Sequence, residues 1–239
     1  MNIILLEPSD WLSDNIVLLT GRRHRHLCEV LRARAGDSFR VGLLNGSRGA
    51  GKIIHINKSE ARLNVNLNQA ALPRHPCDLV LALPRPKMLR RVMRTVAEMG
   101  VKNLHLIHSA RVEKSFWQTP LLTADRIQSA LSAGLERSGD TQLPAVHFHR
   151  RFRPFVEDQL PELLKKRRCW IAHPGSEAGL GDQRAEGIIM LGPEGGFVPF
   201  ELGLATSVGA LPVHLGGRTL SVDTAVTAAL AQTLAAVRV

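Results

Sequence analysis

Cysteine is scarce in this chain. Cys28, Cys77 and Cys169 are its only three in 239 residues, odd in number and far apart. No CxxC pair and no histidine cluster at ligand spacing accompanies them, so neither a disulfide framework nor zinc is indicated; no metal is expected, and a reducing compartment fits best. Long apolar runs are missing too. Nothing approaches the roughly 18 consecutive apolar residues of a membrane span, and the start MNIILLEPSDW carries no basic leader, so the expectation is a cytoplasmic protein without a membrane partner. Familiar catalytic signatures are absent: there is no GxSxG elbow and no cysteine in a catalytic context. Neither the Gly-Lys-Ser/Thr ending of a P-loop nor a GxGxxG turn occurs.

Acids are outnumbered. Lys plus Arg total 31 against 21 Asp plus Glu, a net charge of +10, and the pI is about 10.5. That balance favours a polyanionic partner, nucleic acid ahead of a membrane surface. Both parts of the chain share it, with 10 basic against 6 acidic residues over 1–70 and 21 against 15 over the remainder. Arg22, Arg23, Arg25, Arg32 and Arg34 crowd into GRRHRHLCEVLRARAG, which reads as a short helix closed by Gly36.

Two grammars follow one another. From Asp37, SFRVGLL, a turn at Asn45-Gly46, GKIIHI and ARLNVNLN alternate as hairpin strands do, so residues 1–72 read as a small β-barrel-like domain. AALPRHP, around Pro73 and Pro76, is the linker. From there to 239, short apolar runs (DLVLAL, NLHLIHS, AVHFHR, CWIAHP, IIML, PVHL) alternate with helical segments, which implies an α/β domain with a mostly parallel sheet covered on both faces.

Ligands in such sheets bind outside the carboxyl ends of the strands. Two glycine bends fall there: LGPEGGF at Leu191 to Phe197 and LGGRTLS at Leu215 to Ser221. Glycine admits backbone shapes closed to other residues and lets a ligand approach the main chain, so adjacent bends would build one pocket. HPGS, with His173, Pro174 and Gly175, is a candidate third wall, whereas the other strand histidines read as structural. Glu194 has three open readings: facing a cationic ligand, holding the neighbouring loop, or solvated. Ser221 suits an N-cap and Asp223 the positive end of a helix dipole. Arg218, a long cation on a glycine hinge, has no evident structural duty. In PKMLRRVMRTVAEMG, the cations Lys87, Arg90, Arg91 and Arg94 share one helix face without an intervening acid, as a phosphate backbone would require. The last helix, VDTAVTAALAQTLAAV, is almost uncharged and suits deep core or a subunit contact; a homodimer is expected.

With these residues in hand, the chain resembles the RsmE family of the SPOUT superfamily, S-adenosylmethionine-dependent enzymes that methylate N3 of a uridine in 16S ribosomal RNA of the small subunit. LGPEGGF followed by LGGRTLSVDTAVTAAL carries the resemblance, supported by ALPRPKMLRRVMRTVAEMGV, by ERSG at Glu136 to Gly139, and by HLCEVLRARAGD. It implies a PUA-like RNA-binding barrel over 1–72 and a trefoil-knotted α/β methyltransferase domain over 73–239. The methyl donor is then expected against His173, Pro174 and Gly175, against Leu191, Gly192, Pro193, Gly195 and Gly196, and against Leu215, Gly216, Thr219 and Leu220. Arg218, Glu194 and Asp223 become the catalytic candidates, with Arg218 facing charge on the uracil. The arginines of the first helix and Lys87, Arg90, Arg91 and Arg94 become the RNA contacts. The chain departs from the family pattern in carrying Ser221 and Asp223 where a further arginine and a glutamate are usual. Two other readings stand beside this one: a relative acting on transfer RNA or a ribose hydroxyl, and a non-catalytic ribosome-assembly protein.

Overall fold

The structure is a computed structural model and describes residues 2–165, 167–183 and 186–234; positions 235–237 of the expected last helix lie outside them. The chain divides into two compact units, Met1–Pro73 with Ser132–Leu143, and Arg74–Leu131 with Pro144–Val239.

The first unit is a six-stranded mixed sheet in the order β1-β4-β5-β6-β3-β2, with β1 (Ile4–Leu6), β2 (Trp11–Ser13), β3 (Ile16–Leu19), β4 (Ser38–Leu43), β5 (Arg48–Ile56) and β6 (Ala61–Gln69). Alternation does the folding. In β6, Ala61, Leu63 and Val65 point inward to meet Leu6, Leu19, Val41 and Ile53 in the core, while Arg62, Asn64, Asn66 and Asn68 face outward. Leu27 closes the core. It comes from the basic segment, where α1 (Gly21–Arg25) runs into one π turn, His26–Val30. The helical run stops well before Gly36, because Arg32 itself takes the left-handed conformation at φ 51°. In the β4–β5 hairpin only Asn45 of the Asn-Gly pair is left-handed, at φ 60°, so this is not the two-residue mirror-image turn that Asn-Gly favours.

Residues 132–143 fall on the C-terminal side of the expected boundary, yet they pack with the first unit. The physical reason is hydrogen bonding: Asn2 N donates to Glu136 O at 2.6 Å, Asn45 N to Thr141 O at 2.7 Å, and Thr141 Oγ1 to Gly46 O at 2.6 Å.

The second unit is a six-stranded sheet in the order β12-β10-β11-β7-β8-β9, every pairing parallel. Its strands are β7 (Cys77–Ala82), β8 (Asn103–Ile107), β9 (Ala145–His149), β10 (Arg168–Ala172), β11 (Gly187–Leu191) and β12 (Ala210–Val213). β7 and β11 are buried throughout, as strands covered on both faces must be. The helices are α2 (Pro86–Glu98), α3 (Ala124–Ser138), α4 (Phe152–Pro154), α5 (Leu160–Leu164), α6 (Pro199–Ser207) and α7 (Val222–Leu234); the last turns of α3 belong to the first unit. α2 buries Leu89, Val92, Met93, Val96 and Ala97, leaving its cations on the opposite face.

Three further features tie this unit together. Asp78 accepts from Asn103 N at 3.0 Å and from Arg167 at 2.6 Å. Glu201, at the start of α6, is buried and accepts from Ala110 N at 2.7 Å and Val198 N at 3.0 Å. His105 stacks on His147 with ring centroids 4.6 Å apart, and its Nδ1 lies 3.0 Å from His149 Nε2. Burial, and after it the neighbouring His147 and His149, pushes the His105 imidazole down to about 4. Among the described residues no helix is long and apolar enough to cross a membrane.

Candidate functional site

β12, β10 and β11 are adjacent and parallel, so their carboxyl ends open on the same edge, and the segments that follow them meet there. Together they wall a cavity of about 130 Å³. The end of β10 and the loop after it supply Ala172, His173 and Pro174, the end of β11 and its loop supply Leu191, Gly192, Pro193, Glu194 and Gly196, and the segment after β12 supplies Leu215, Gly216, Arg218, Thr219 and Leu220. Val222 and Ala225 complete the lining from the first turn of α7.

The bends exist because their backbones demand glycine. Gly196 stands at φ 71° and Gly216 at φ 125°, conformations that a side chain disfavours. The segment after β12 is held from both sides. His214 N donates to Ala178 O at 2.9 Å, Leu180 N donates to His214 O at 3.0 Å, and Gln232 of α7 donates to Leu215 O at 3.2 Å.

Three of the expected site residues stand outside the lining. Gly175, at φ 86°, forms the turn behind His173 and Pro174. Gly195 faces Arg111, whose guanidinium donates to the Gly195 carbonyl; a Cβ on Gly195 would come within 2.9 Å of the Arg111 side chain. Asp223 accepts from the Ser221 hydroxyl at 2.6 Å and lies 3.5 Å from Arg91. The Ser221 hydrogen bond in particular holds the Asp223 carboxyl below the usual carboxylate range. Ser221 therefore serves its neighbour's side chain.

Charge in the cavity is sparse. Glu194 lines it, with Arg85 at 3.8 Å, and Arg218 is exposed with no ion pair among the described residues. Arg85 and Arg111 are the residues that motif reading missed. Both follow a parallel strand at its carboxyl end, β7 and β8 respectively, and that position is the signal that would have found them.

The expected RNA contacts divide. Arg23 is tied to Asp10 by bonds of 2.5 and 2.6 Å and to Leu5 O at 2.9 Å, and Arg22 is paired with Glu136. Their ion pairs give these two a structural duty. Arg25, Arg32 and Arg34 are exposed, as are Lys87, Arg90 and Arg91, whereas Arg94 is half-buried.

A glycine-walled cavity beyond a parallel sheet, in a basic chain with a separate β unit, defines a class. Residues 71–234 match the family model of the RNA methyltransferase domain, and residues 19–66 match that of the RNA methyltransferase PUA domain. The chain is thus an RNA methyltransferase. It is 30% identical over 245 residues, covering 98% of this chain and 91% of the other, to ribosomal RNA small subunit methyltransferase E of Treponema pallidum. It is 29% identical to the protein of the same name from Synechocystis, covering 96% and 76%. A solved methyltransferase E from Neisseria gonorrhoeae, bound to S-adenosyl methionine, superposes with a TM-score of 0.77 at 23% identity, covering 98% and 97%. The chain belongs to the ribosomal RNA small subunit methyltransferase E family.

Proposed function

We propose that this protein transfers a methyl group from S-adenosylmethionine to N3 of a uridine in 16S ribosomal RNA. One observation carries the reading: a cavity bounded by three strand-end loops, with glycine bends in its wall and Arg218, unpaired among the described residues, at its edge. The residues present fit the donor. Leu191, Leu220, Val222 and Ala225 offer a dry surface for a flat heterocycle, and the glycine bends offer main-chain donors and acceptors at its edge. Glu194 supplies a negative charge suited to a cationic ligand.

S-adenosylmethionine, when bound, supplies an electrophilic methyl group on a sulfonium. The protein therefore contributes placement more than covalent chemistry. Uracil N3 must lose a proton, and its carbonyl oxygens then gather charge; Arg218 is positioned to stabilise them. Glu194, the carboxylate in the lining, is the acceptor this geometry favours. Asp223, occupied by Ser221 and Arg91, orders the start of α7.

The names of the curated relatives support ribosomal RNA of the small subunit as the substrate. Arg25, Arg32, Arg34, Lys87, Arg90 and Arg91 are proposed contacts to it. A trefoil-knotted path for the C-terminal chain is part of the same reading. The outward positions of α7, Thr224, Thr227, Ala231 and Leu234, carry no charge, which supports a homodimer through this helix. Cytoplasmic localisation follows from the substrate.

Calorimetry with S-adenosylmethionine tests the donor site: saturable heat is expected, and none would leave a non-catalytic RNA binder. Mapping N3-methyluridine in ribosomal RNA from cells lacking the protein tests the target, with loss at one position expected and an unchanged map pointing to another RNA. Arg218→Ala should lower turnover about 100-fold while leaving donor affinity within about two-fold; equal losses in both would make Arg218 a wall of the pocket.

A further inference from the structure

We infer that Arg111 is a positioning residue for the donor cavity: reaching from the loop after β8 past the end of β7, it anchors the turn after β11 that carries Glu194 into the lining. The inference rests on the donor-site reading above and adds to it a residue from outside the lining.

Two tight turns face each other here. Val112 N donates to Ser109 O at 2.9 Å, and Gly196 N donates to Pro193 O at 2.8 Å, so Arg111 and Gly195 each stand third in their turn. The Arg111 guanidinium donates to the Gly195 carbonyl. Glu201, itself buried, joins the same two segments a second time, accepting from Ala110 N at 2.7 Å and from Val198 N at 3.0 Å. Ser109 and Val112 are buried as well, so Arg111 extends from a fixed base.

Gly195 is the residue that singles out this contact. Gly196 stands at φ 71° and favours glycine for that reason, whereas Gly195 is not in the left-handed region, so its backbone would accept a side chain. What excludes one is the arginine, since a Cβ on Gly195 would lie 2.9 Å from Arg111 Cδ. Arg111 is exposed and pairs with no carboxylate among the described residues. The carbonyl orders it instead, and a cation donates to a carbonyl more strongly than a neutral group does. One residue earlier in the turn, Glu194 lines the cavity and lies 3.8 Å from Arg85. The turn is thus held at its main chain from the end of β8 and at its side chain from the end of β7, which sets the lining in place before a ligand arrives.

Calorimetry of the full chain with S-adenosylmethionine tests this. Arg111→Ala should raise the dissociation constant about ten-fold, and Arg111→Lys, which keeps a charged donor for the carbonyl, should recover most of that loss. Without S-adenosylmethionine the melting temperature of Arg111→Ala should match the wild type, while amide exchange over residues 194–197 should quicken. Gly195→Ala should weaken binding by displacing the arginine, and in the Arg111→Ala background the same substitution should cost little further. Wild-type affinity in Arg111→Ala, or losses that add in the double variant, would overturn the anchor. So would an RNA-binding salt slope lowered by about one at unchanged donor affinity, which would make Arg111 a phosphate contact. A wild-type chain that gives no heat with S-adenosylmethionine would overturn the donor-site reading and the anchor with it.

Discussion

Two helices of this protein, α1 and α2, both carry arginines and use them in opposite ways. In α1, Arg23 is mostly buried against Asp10 and Arg22 is joined to Glu136, so these cations hold the N-terminal unit together. In α2, Lys87, Arg90 and Arg91 lie exposed, and Arg91 alone of these pairs with an acid among the described residues, Asp223 at 3.5 Å. What differs is where a carboxylate sits. Asp10 and Glu136 are themselves buried, and a buried carboxylate without its cation costs far more than an exposed arginine without its anion. A basic stretch therefore does not reveal its job until its partners are known.

That contrast can be broken by experiment. Arg23→Ala should cost about 3 kcal/mol by urea unfolding, because it strands buried Asp10; a loss near zero would return Arg23 to the RNA-binding set. A smaller effect comes from the second unit, where burial holds His105 at about 4, below its ordinary 6.5, beside His147, His149, Asp78 and Arg167. A depressed histidine stabilises the fold fully above its unfolded value, and that contribution is lost as pH falls from about 6.5 towards 4. Lowering the pH from neutral to about 5 should thus remove about 2 kcal/mol, and His105→Gln should flatten that slope. The smallest effect on stability is expected from Lys87→Ala, Arg90→Ala and Arg91→Ala together, about 0.5 kcal/mol or less each. The salt slope of RNA binding should nevertheless fall by about three. A large stability loss with an unchanged slope would make α2 a structural helix like α1.

Much of the fold was legible because its signals are local. Strand alternation in ARLNVNLNQ and the strand–helix rhythm from Cys77 onward follow directly from which face each residue buries. The glycine bends were legible as well, since Gly196 and Gly216 occupy conformations that favour glycine. Other features depend on distant residues. Residues 132–143 join the first unit through bonds to Asn2, Asn45 and Gly46, each more than 90 positions away. The helix stop at Arg32 went unseen because a non-glycine residue takes the left-handed turn there. Arg111 escaped notice because its partner is the carbonyl of Gly195, 84 residues on.

By itself the sequence determined the parallel sheet, the hairpin strands of the N-terminal β unit, the net charge of +10 and the two glycine bends, all set by side-chain pattern or backbone freedom along a short stretch. Only the tertiary structure decided that three bends share one cavity, because that depends on β12, β10 and β11 being neighbours in the sheet. It also decided that Arg22 and Arg23 are spent in ion pairs, because pairing depends on carboxylates brought from elsewhere in the chain.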